Sequence, residues 1–456
     1  MAQDACRSIV PWLVAFVGAA TMAARVAVEG DAVAEPVIMT VLGPVPPADV
    51  SAVSGPALCR EWLVNDQKDL LQQATATSGA KQEDGTFGLV ELASLMRARR
   101  WPLASLHNLH LSHEDVLAEL AGPLKRRALG ARSCLVVAST PRAFWNPVSS
   151  SDYSSRLRAL AREVGDTLVL VVGTAPAPGQ PAGEEGLAAE VARLVSDLRV
   201  GFEGSAETEG GEKVRPGFIG ELQLWDPLTG PPAAHERLAL LACAEAQHAS
   251  GAALVLSGAV SEDVMAVLSE GGADLTRCAF FDVPPTSPVS AARLVDAGAF
   301  LGFCPPGGSA DVAWQDYPGR RPWRTEEAFV DALSSGPSGR TLLGSGLRFR
   351  TDLSAFGGPG ICYAPDLLAA VSAGVGLGPA IPPCSHDLRQ AAVNFLQYAW
   401  KPPPPPEKII HTIECHWCGA RKPEGDHFSK FTFDYCSPKC LSNHRKAGYE
   451  PDKNGR

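Results

Sequence analysis

The chain has 456 residues, 45% of them hydrophobic and 20% charged, and that balance excludes an extended disordered polypeptide. The formal charge is −10, unevenly spread: residues 401–456 carry 10 Lys and Arg against 7 Asp and Glu, leaving 30 against 43 for the first 400. An acidic body argues against nonspecific nucleic-acid binding, and the small tail excess is too little for a phosphate-tracking surface.

Residues 1–34 are read as an apolar extension. Ser8 to Ala24 is uncharged, with Arg7 before it and Arg25 after it. Asp4, Pro11 and the lack of a small-x-small cleavage site favour a buried helix or loose extension, with a signal or membrane anchor as the alternative. Eight of the 12 Cys are scattered, several inside apolar runs, and four cluster at metal-ligand spacing, which suits a reducing, intracellular compartment.

Short apolar runs then alternate with helix-period segments. The runs are ALCREWLV (57–64), SCLVVAS (133–139), TLVLVVGT (167–174), GFIGELQL (217–224), AALVLSGAV (252–260), CAFFDV (278–283), AFLGFCP (299–305) and TLLGSGL (341–347). Between them lie amphipathic stretches at 113–129, 154–165, 187–202, 235–251 and 261–272, whose apolar residues recur at three and four. Eight strand and helix units predict an α/β fold, a (β/α)8 TIM barrel over residues 35–400, with an open Rossmann-like sheet as runner-up. No GxGxxG or GxxxxGK[ST] supports nucleotide binding.

Of the 10 histidines, none falls in the strand runs from 133 to 347. His107, His110 and His113 have a spacing that a helix could turn into a metal face, but the segment reads better as a loop entering a helix capped by Ser112. Residues 203–215 and 306–324 read as loops. KPPPPPEK at 401–408 is a stiff extended spacer and a domain boundary.

Residues 409–456 contain C-x2-C, a 17-residue interval and C-x3-C, formed by Cys415, Cys418, Cys436 and Cys440. That spacing predicts a structural zinc ion held by four thiolates, with His416, His427 or His444 as substitutes and His444 the best placed of the three. Gly419 permits a knuckle, KFTFDY alternates like a strand, and CSPKCLSNHRK reads as the start of a helix. So short a segment couples folding to metal binding. The pattern resembles treble-clef fingers of the FCS-like and MYND-like kinds, which implies a protein partner, with nucleic acid less supported.

MTVLGPVPPADV, LHLSHEDVLAELAGPLKRRALGARSCLVVAS, VARLVSDLRVGFEG, VRPGFIGELQL and FGGPGICYAPDLL, in this order over about 350 residues, resemble the phosphotriesterase family of amidohydrolase-type barrels. The resemblance implies two divalent ions at the barrel mouth, activating water for attack on an ester or lactone. It places the ligand positions on Arg60 and Trp62, Glu221, Ser257, Asp282 and Gly346. Arg and Trp cannot ligate zinc, and only Glu221 and Asp282 suit a hard cation, so the binuclear centre is expected to be lost. Arg60 would then occupy the vacated position and pair with both carboxylates.

The expectation is therefore a catalytically impaired barrel acting as a binding or scaffold protein with a zinc finger. The alternatives are a metal-dependent hydrolase with a site rearranged around Glu221, Asp282 and Ser257, and a nucleic-acid-associated protein.

Overall fold

Strands buried along their whole length need packed layers on both faces, and for that reason ALVLS, CAFF and FLGF are apolar but for the terminal Ser257. In the computed structural model they are part of one eight-stranded parallel sheet. The structure describes residues 35–52, 57–64, 111–121, 134–138, 150–165, 168–176, 183–202, 213–224, 232–307, 325–373, 385–398, 412–423, 428–430 and 433–448, with 55 and 323. The chain divides into two units, Met1–Lys401 and Pro402–Arg456.

In the first unit a hairpin of β1 (Ile38–Thr40) and β2 (Gly43–Val45) and the short helix α1 (Pro47–Ser51) precede the sheet. The sheet is β3 (Ala57–Glu61), β4 (Cys134–Ala138), β5 (Leu168–Thr174), β6 (Phe218–Gln223), β7 (Ala253–Ser257), β8 (Cys278–Phe281), β9 (Phe300–Phe303) and β10 (Thr341–Leu343), each paired with the next in chain order. Two backbone bonds join its ends just beyond the strands: Trp62 N–H donates to Leu347 O at 2.9 Å and Gly346 N–H to Arg60 O at 3.1 Å. The sheet closes into a barrel, as the eight apolar runs predict.

Period-two alternation sorts the strand residues. Leu135, Val137, Val171, Phe218, Val255, Phe281 and Leu342 belong to an inner cluster, while Val136, Leu170, Ile219, Leu254, Phe280 and Leu301 pack outward with the helices. The helices are α2 (His113–Glu119), α3 (Ser150–Val164), α4 (Gly183–Arg199), α5 (Ala234–Ser250), α6 (Glu262–Glu270), α7 (Ala291–Asp296), α8 (Glu326–Ser334), α9 (Tyr363–Ser372) and α10 (Ser385–Leu396). Ser112 caps α2 by accepting from Asp115 N–H at 3.1 Å, as expected. The helices α3 and α4 start about one turn before their apolar pattern does; in α4 the first turn holds the exposed Gly183 and Glu185 and carries no apolar signal.

Helix α10 contributes Ala391, Ala392 and Phe395 to the inner cluster, at the end where strands begin. Phe395 meets Phe300, the first residue of β9, at 5.1 Å between ring centres, and Arg277, just before β8, donates to Gln397 O at 2.5 Å. The opposite end, where the strands finish, carries the polar side chains. No described helix is long and apolar enough to cross a membrane; the apolar run at 8–24 and most of the loops at 203–215 and 306–324 lie outside the described residues.

In the second unit β11 (Thr412–Glu414) pairs antiparallel with β12 (Arg421–Pro423), and β13 (Phe428–Lys430) with β14 (Phe433–Tyr435). The single strand expected over 430–435 is instead the end of one strand and all of the next, with Lys430 opposite Phe433. Folding back gives backbone donors partners that one isolated strand would lack in so small a unit. Helix α11 (Pro438–Lys446) follows, with Ser437 as N-cap and Pro438 in its first turn.

Glu61, buried at the end of β3, accepts from Ser345 N–H at 2.6 Å and Leu347 N–H at 3.2 Å, bracing the barrel seam. Glu61→Gln turns an acceptor into a donor facing these groups, and should lower the barrel's stability by about 1–3 kcal/mol in urea denaturation.

Candidate functional site

Three backbone irregularities meet at the barrel mouth. The register of β3 against β4 shifts between Leu58 and Glu61, that of β6 against β7 between Ile219 and Leu222, and Asp282, just after β8, has φ of +53°. Each shifted strand re-aims its side chains at that point. The residues delivered are Arg60, Glu221 and Asp282, which are 1%, 1% and 3% exposed.

The Arg60 guanidinium sits between the two carboxylates. Nη2 lies 2.5 Å from Glu221 Oε1, and Nη1 donates to Asp282 Oδ2. Below it lies the Phe281 ring, 5.7 Å from its central carbon. Glu221 also accepts from Ser257 Oγ at 2.5 Å and Trp62 Nε1 at 3.3 Å, while Asp282 Oδ1 accepts from Cys304 N–H at 3.1 Å. A second arginine, Arg348, stacks over Trp62 at 5.2 Å and reaches within 3.9 Å of Glu221 Oε1. Gly346 brings no side chain; its φ of +69° and its bond to Arg60 O shape the seam. The structure thus gathers Arg60, Trp62, Glu221, Ser257 and Asp282 into one buried network, and adds Arg348 and Cys304, which sequence reasoning missed. The only prior sign of Arg348 was a charge standing in the otherwise apolar LRF segment.

Space around Arg60 depends on a glycine. A Cβ at Gly344 would stand 2.9 Å from Arg60 Cβ and 3.1 Å from Cys304 Sγ, so the chain after β10 can pass only without a side chain there.

Burial by itself would raise the Glu221 carboxyl, but Arg60 opposes it with charge and a hydrogen bond, helped by Arg348 and Ser257, and the pKa falls from 4.5 to about 2. Burial disfavours the Arg60 cation, yet Glu221 and Asp282 outweigh it and hold the guanidinium well above its ordinary range. Both groups are charged at neutral pH. A binuclear hydrolase centre needs several nitrogen or oxygen ligands around each ion; the residues at these positions offer two carboxylates, both engaged by a guanidinium, and do not fit it.

The histidine trio forms no metal face among the described residues: His113 Nε2 lies 3.0 Å from Glu163 Oε1, and His107 and His110 lie outside them.

The second site is the cysteine cluster. The backbone folds a tight knuckle, with Gly419 N–H donating to Cys415 O at 2.8 Å, Cys415 N–H to Ala420 O at 2.9 Å, and Gly419 at φ +69°. His416 N–H donates to Asp434 O at 2.8 Å and ties that knuckle to β14. Among the described residues, Cys415, Cys418, Cys436 and Cys440 are the one group of ligand-type side chains that could hold a metal, all four sulfurs lying within 4.8 Å of one another.

Zinc–sulfur bonds of about 2.3 Å in a tetrahedron place sulfurs about 3.8 Å apart. The pairs Cys418–Cys436, Cys436–Cys440 and Cys440–Cys418 stand at 3.5, 3.5 and 3.8 Å. Burial would raise the Cys415 thiol, but backbone N–H groups of Cys436, Cys418 and Trp417 face its sulfur and bring it to about 6, favouring the thiolate a metal needs. The residues present fit zinc.

His444 is not one of the group. It is fully buried, with Nδ1 2.9 Å from the Tyr435 hydroxyl, and its ring packs against Trp417 and Phe433 at 5.6 and 5.2 Å. One turn beyond Cys440 it faces the unit's small core, and His416 is exposed with its ring on Phe433.

Residues 411–452 match the family model of the Vms1-associating treble clef domain. The chain joins an eight-stranded parallel barrel to a segment that matches a treble clef. A resiniferatoxin-binding protein from Rhodobacter sphaeroides shares the barrel at a TM-score of 0.57 and 23% identity, over 80% of this chain and 96% of its own. The phosphotriesterase homology protein of Escherichia coli, solved with phosphate in its active site, aligns at 0.49 and 18%, over 76% of this chain and 99% of its own. A lactonase from Listeria monocytogenes aligns at 0.48 and 14%, over 79% and 96%. Identities this low speak to fold alone. No curated protein matches the sequence.

Replacing Arg60 by Met removes the cation seated between two buried carboxylates, leaving Arg348 at 3.9 Å from Glu221, and should cost about 3–5 kcal/mol in chemical denaturation. Adding Glu221→Gln and Asp282→Asn should recover part of that loss. Because the folded pKa of Glu221 is depressed, its stabilisation is complete above about 4.5 and is lost as pH falls toward 2. Comparing urea midpoints of the parent and Glu221→Gln between pH 6 and pH 3 should show their difference shrinking as pH drops.

Proposed function

We propose that this protein is a non-hydrolytic phosphotriesterase-like barrel, acting as a binding or scaffold body, joined through the proline-rich spacer at 401–408 to a zinc-organised protein-docking module at 409–456. The observation that carries the first half is the Arg60 guanidinium seated between Glu221 and Asp282, on positions that the sequence resemblance assigns to metal ligands. A guanidinium has neither an open coordination position nor the Lewis acidity to generate hydroxide at neutral pH. On this reading Arg60, Trp62, Glu221, Ser257, Asp282 and Gly346 are the degenerate positions of a metal centre.

The same geometry weighs against a hydrolase rearranged around Ser257. Its hydroxyl does donate to a carboxylate, but a carboxylate with a pKa of about 2 is a feeble base for a serine proton near pH 7.

Support for the second half is the match to a domain described as Vms1-associating, together with the four sulfurs at zinc spacing. The partner would be a protein of the Vms1 kind, and metal would be required because so small a unit needs its ion to fold.

Elemental mass spectrometry should find one zinc per full-length chain and none in a Cys436→Ser/Cys440→Ser variant. Two further ions persisting in that variant would sink the metal-free barrel. Calorimetric titration of the zinc-loaded chain against purified Vms1 should give saturable heat that the double variant lacks; no heat from the parent chain removes the docking role.

A further inference from the structure

The four sulfurs of the treble clef are unequally protected. Cys415 is 2% exposed and faced by backbone N–H groups, Cys436 and Cys440 are half-buried, and Cys418 stands open to solvent. Their spacing is also unequal, since Cys436 belongs to both of the 3.5 Å pairs, with Cys418 and with Cys440.

We infer that this cluster is a peroxide-responsive modification site, in which Cys418 and Cys436 join as a disulfide and the metal is released. The inference rests on the reading of the four cysteines as zinc ligands. The exposed zinc-bound thiolate of Cys418 attacks one oxygen of hydrogen peroxide; the O–O bond breaks, hydroxide leaves, and Cys418 becomes a sulfenic acid. The Cys436 thiolate then displaces hydroxide from that sulfur and the S–S bond forms. Two thiolates supply two electrons, and one peroxide becomes two hydroxides, which water protonates.

Geometry selects this pair over Cys436–Cys440. The latter spans the cap of α11, where Ser437 Oγ accepts from Cys440 N–H at 3.3 Å, and drawing those sulfurs together would deform the first helical turn. Cys418 and Cys436 lie instead on two segments already tied by the His416 N–H to Asp434 O bond of 2.8 Å. Their sulfurs need to close from 3.5 Å to about 2.05 Å, which takes them off the metal. Cys415 and Cys440 alone leave zinc two ligands short of a tetrahedron.

The test uses the full-length, zinc-loaded protein, with metal counted first. Hydrogen peroxide is added in the presence of a chromogenic zinc chelator, and the products are mapped after trypsin, which cuts after Arg421 and Lys439 and so separates Cys418, Cys436 and Cys440 onto different peptides. The expected result is one equivalent of zinc released with a Cys418–Cys436 linked peptide, both reversed by dithiothreitol and fresh zinc. A Cys418→His variant, which keeps four ligands but no thiol at the open position, should release zinc at least tenfold more slowly.

Release at the parent rate from that variant, or a Cys436–Cys440 link as the main product in the parent chain, overturns the inference. Peptide mapping of the parent decides the matter even where the variant fails to load metal. A parent chain that holds no zinc before peroxide overturns the ligand assignment itself, which the initial metal count tells apart from a chain that holds zinc and resists peroxide.

Discussion

A guanidinium buried between two carboxylates governs the first unit. Transferring Glu221 and Asp282 from water to the mouth of a barrel is costly unless a cation comes with them, and the fold supplies one from the opposite strand rather than from solution. Arg60 suits the place because its planar fork gives two donors to two different acceptors at once, which a lysine ammonium on a flexible stem would not do with the same fixity. The remaining acceptor capacity of Glu221 is taken up by Trp62 and Ser257, and Arg348 balances the total at two positive and two negative charges. Strand register is bent to make this possible, since both shifts fall on the segments that present Arg60 and Glu221.

Satisfaction of this kind has a chemical consequence. A barrel mouth does chemistry when it holds groups poised to change state: a water near its pKa, a base near neutrality, a metal with an open position. Here the carboxylate is pinned far below neutrality, the guanidinium cannot give up its proton, and the serine hydroxyl is spent on the carboxylate. On the reading proposed above, the barrel keeps its architecture without the electronic preconditions for hydrolysis, because function resides in side chains rather than in architecture.

Much of this was legible in the sequence, for identifiable reasons. Eight apolar runs stand out because parallel strands are covered on both faces, so their pattern survives any change in the mouth. That Arg60 and Trp62 could not be ligands follows from their chemistry alone. The residues that stayed hidden act through distance in sequence: Glu61 braces amides almost three hundred positions away, and Arg348 becomes meaningful only once Trp62 and Glu221 stand beside it. In the finger, cysteine spacing disclosed the candidate ligands, whereas the pairing of β13 with β14 and the inward face of His444 depend on packing in a core too small to leave a periodic signal.

The two units therefore solve the problem of concentrated negative charge in opposite ways. Four thiolates around a divalent ion would make a unit whose fold depends on an external supply, since Tyr435 and His444, buried side chains beside the cluster, give little apolar area to hold it otherwise. The first unit carries the counter-charge to Glu221 and Asp282 on one of its own side chains, Arg60. On the reading proposed above, withdrawal of zinc would silence docking and leave the larger body folded. On that reading one part of the chain is indifferent to metal and the other is governed by it, so that a response to metal supply or to oxidants would run through the small unit alone.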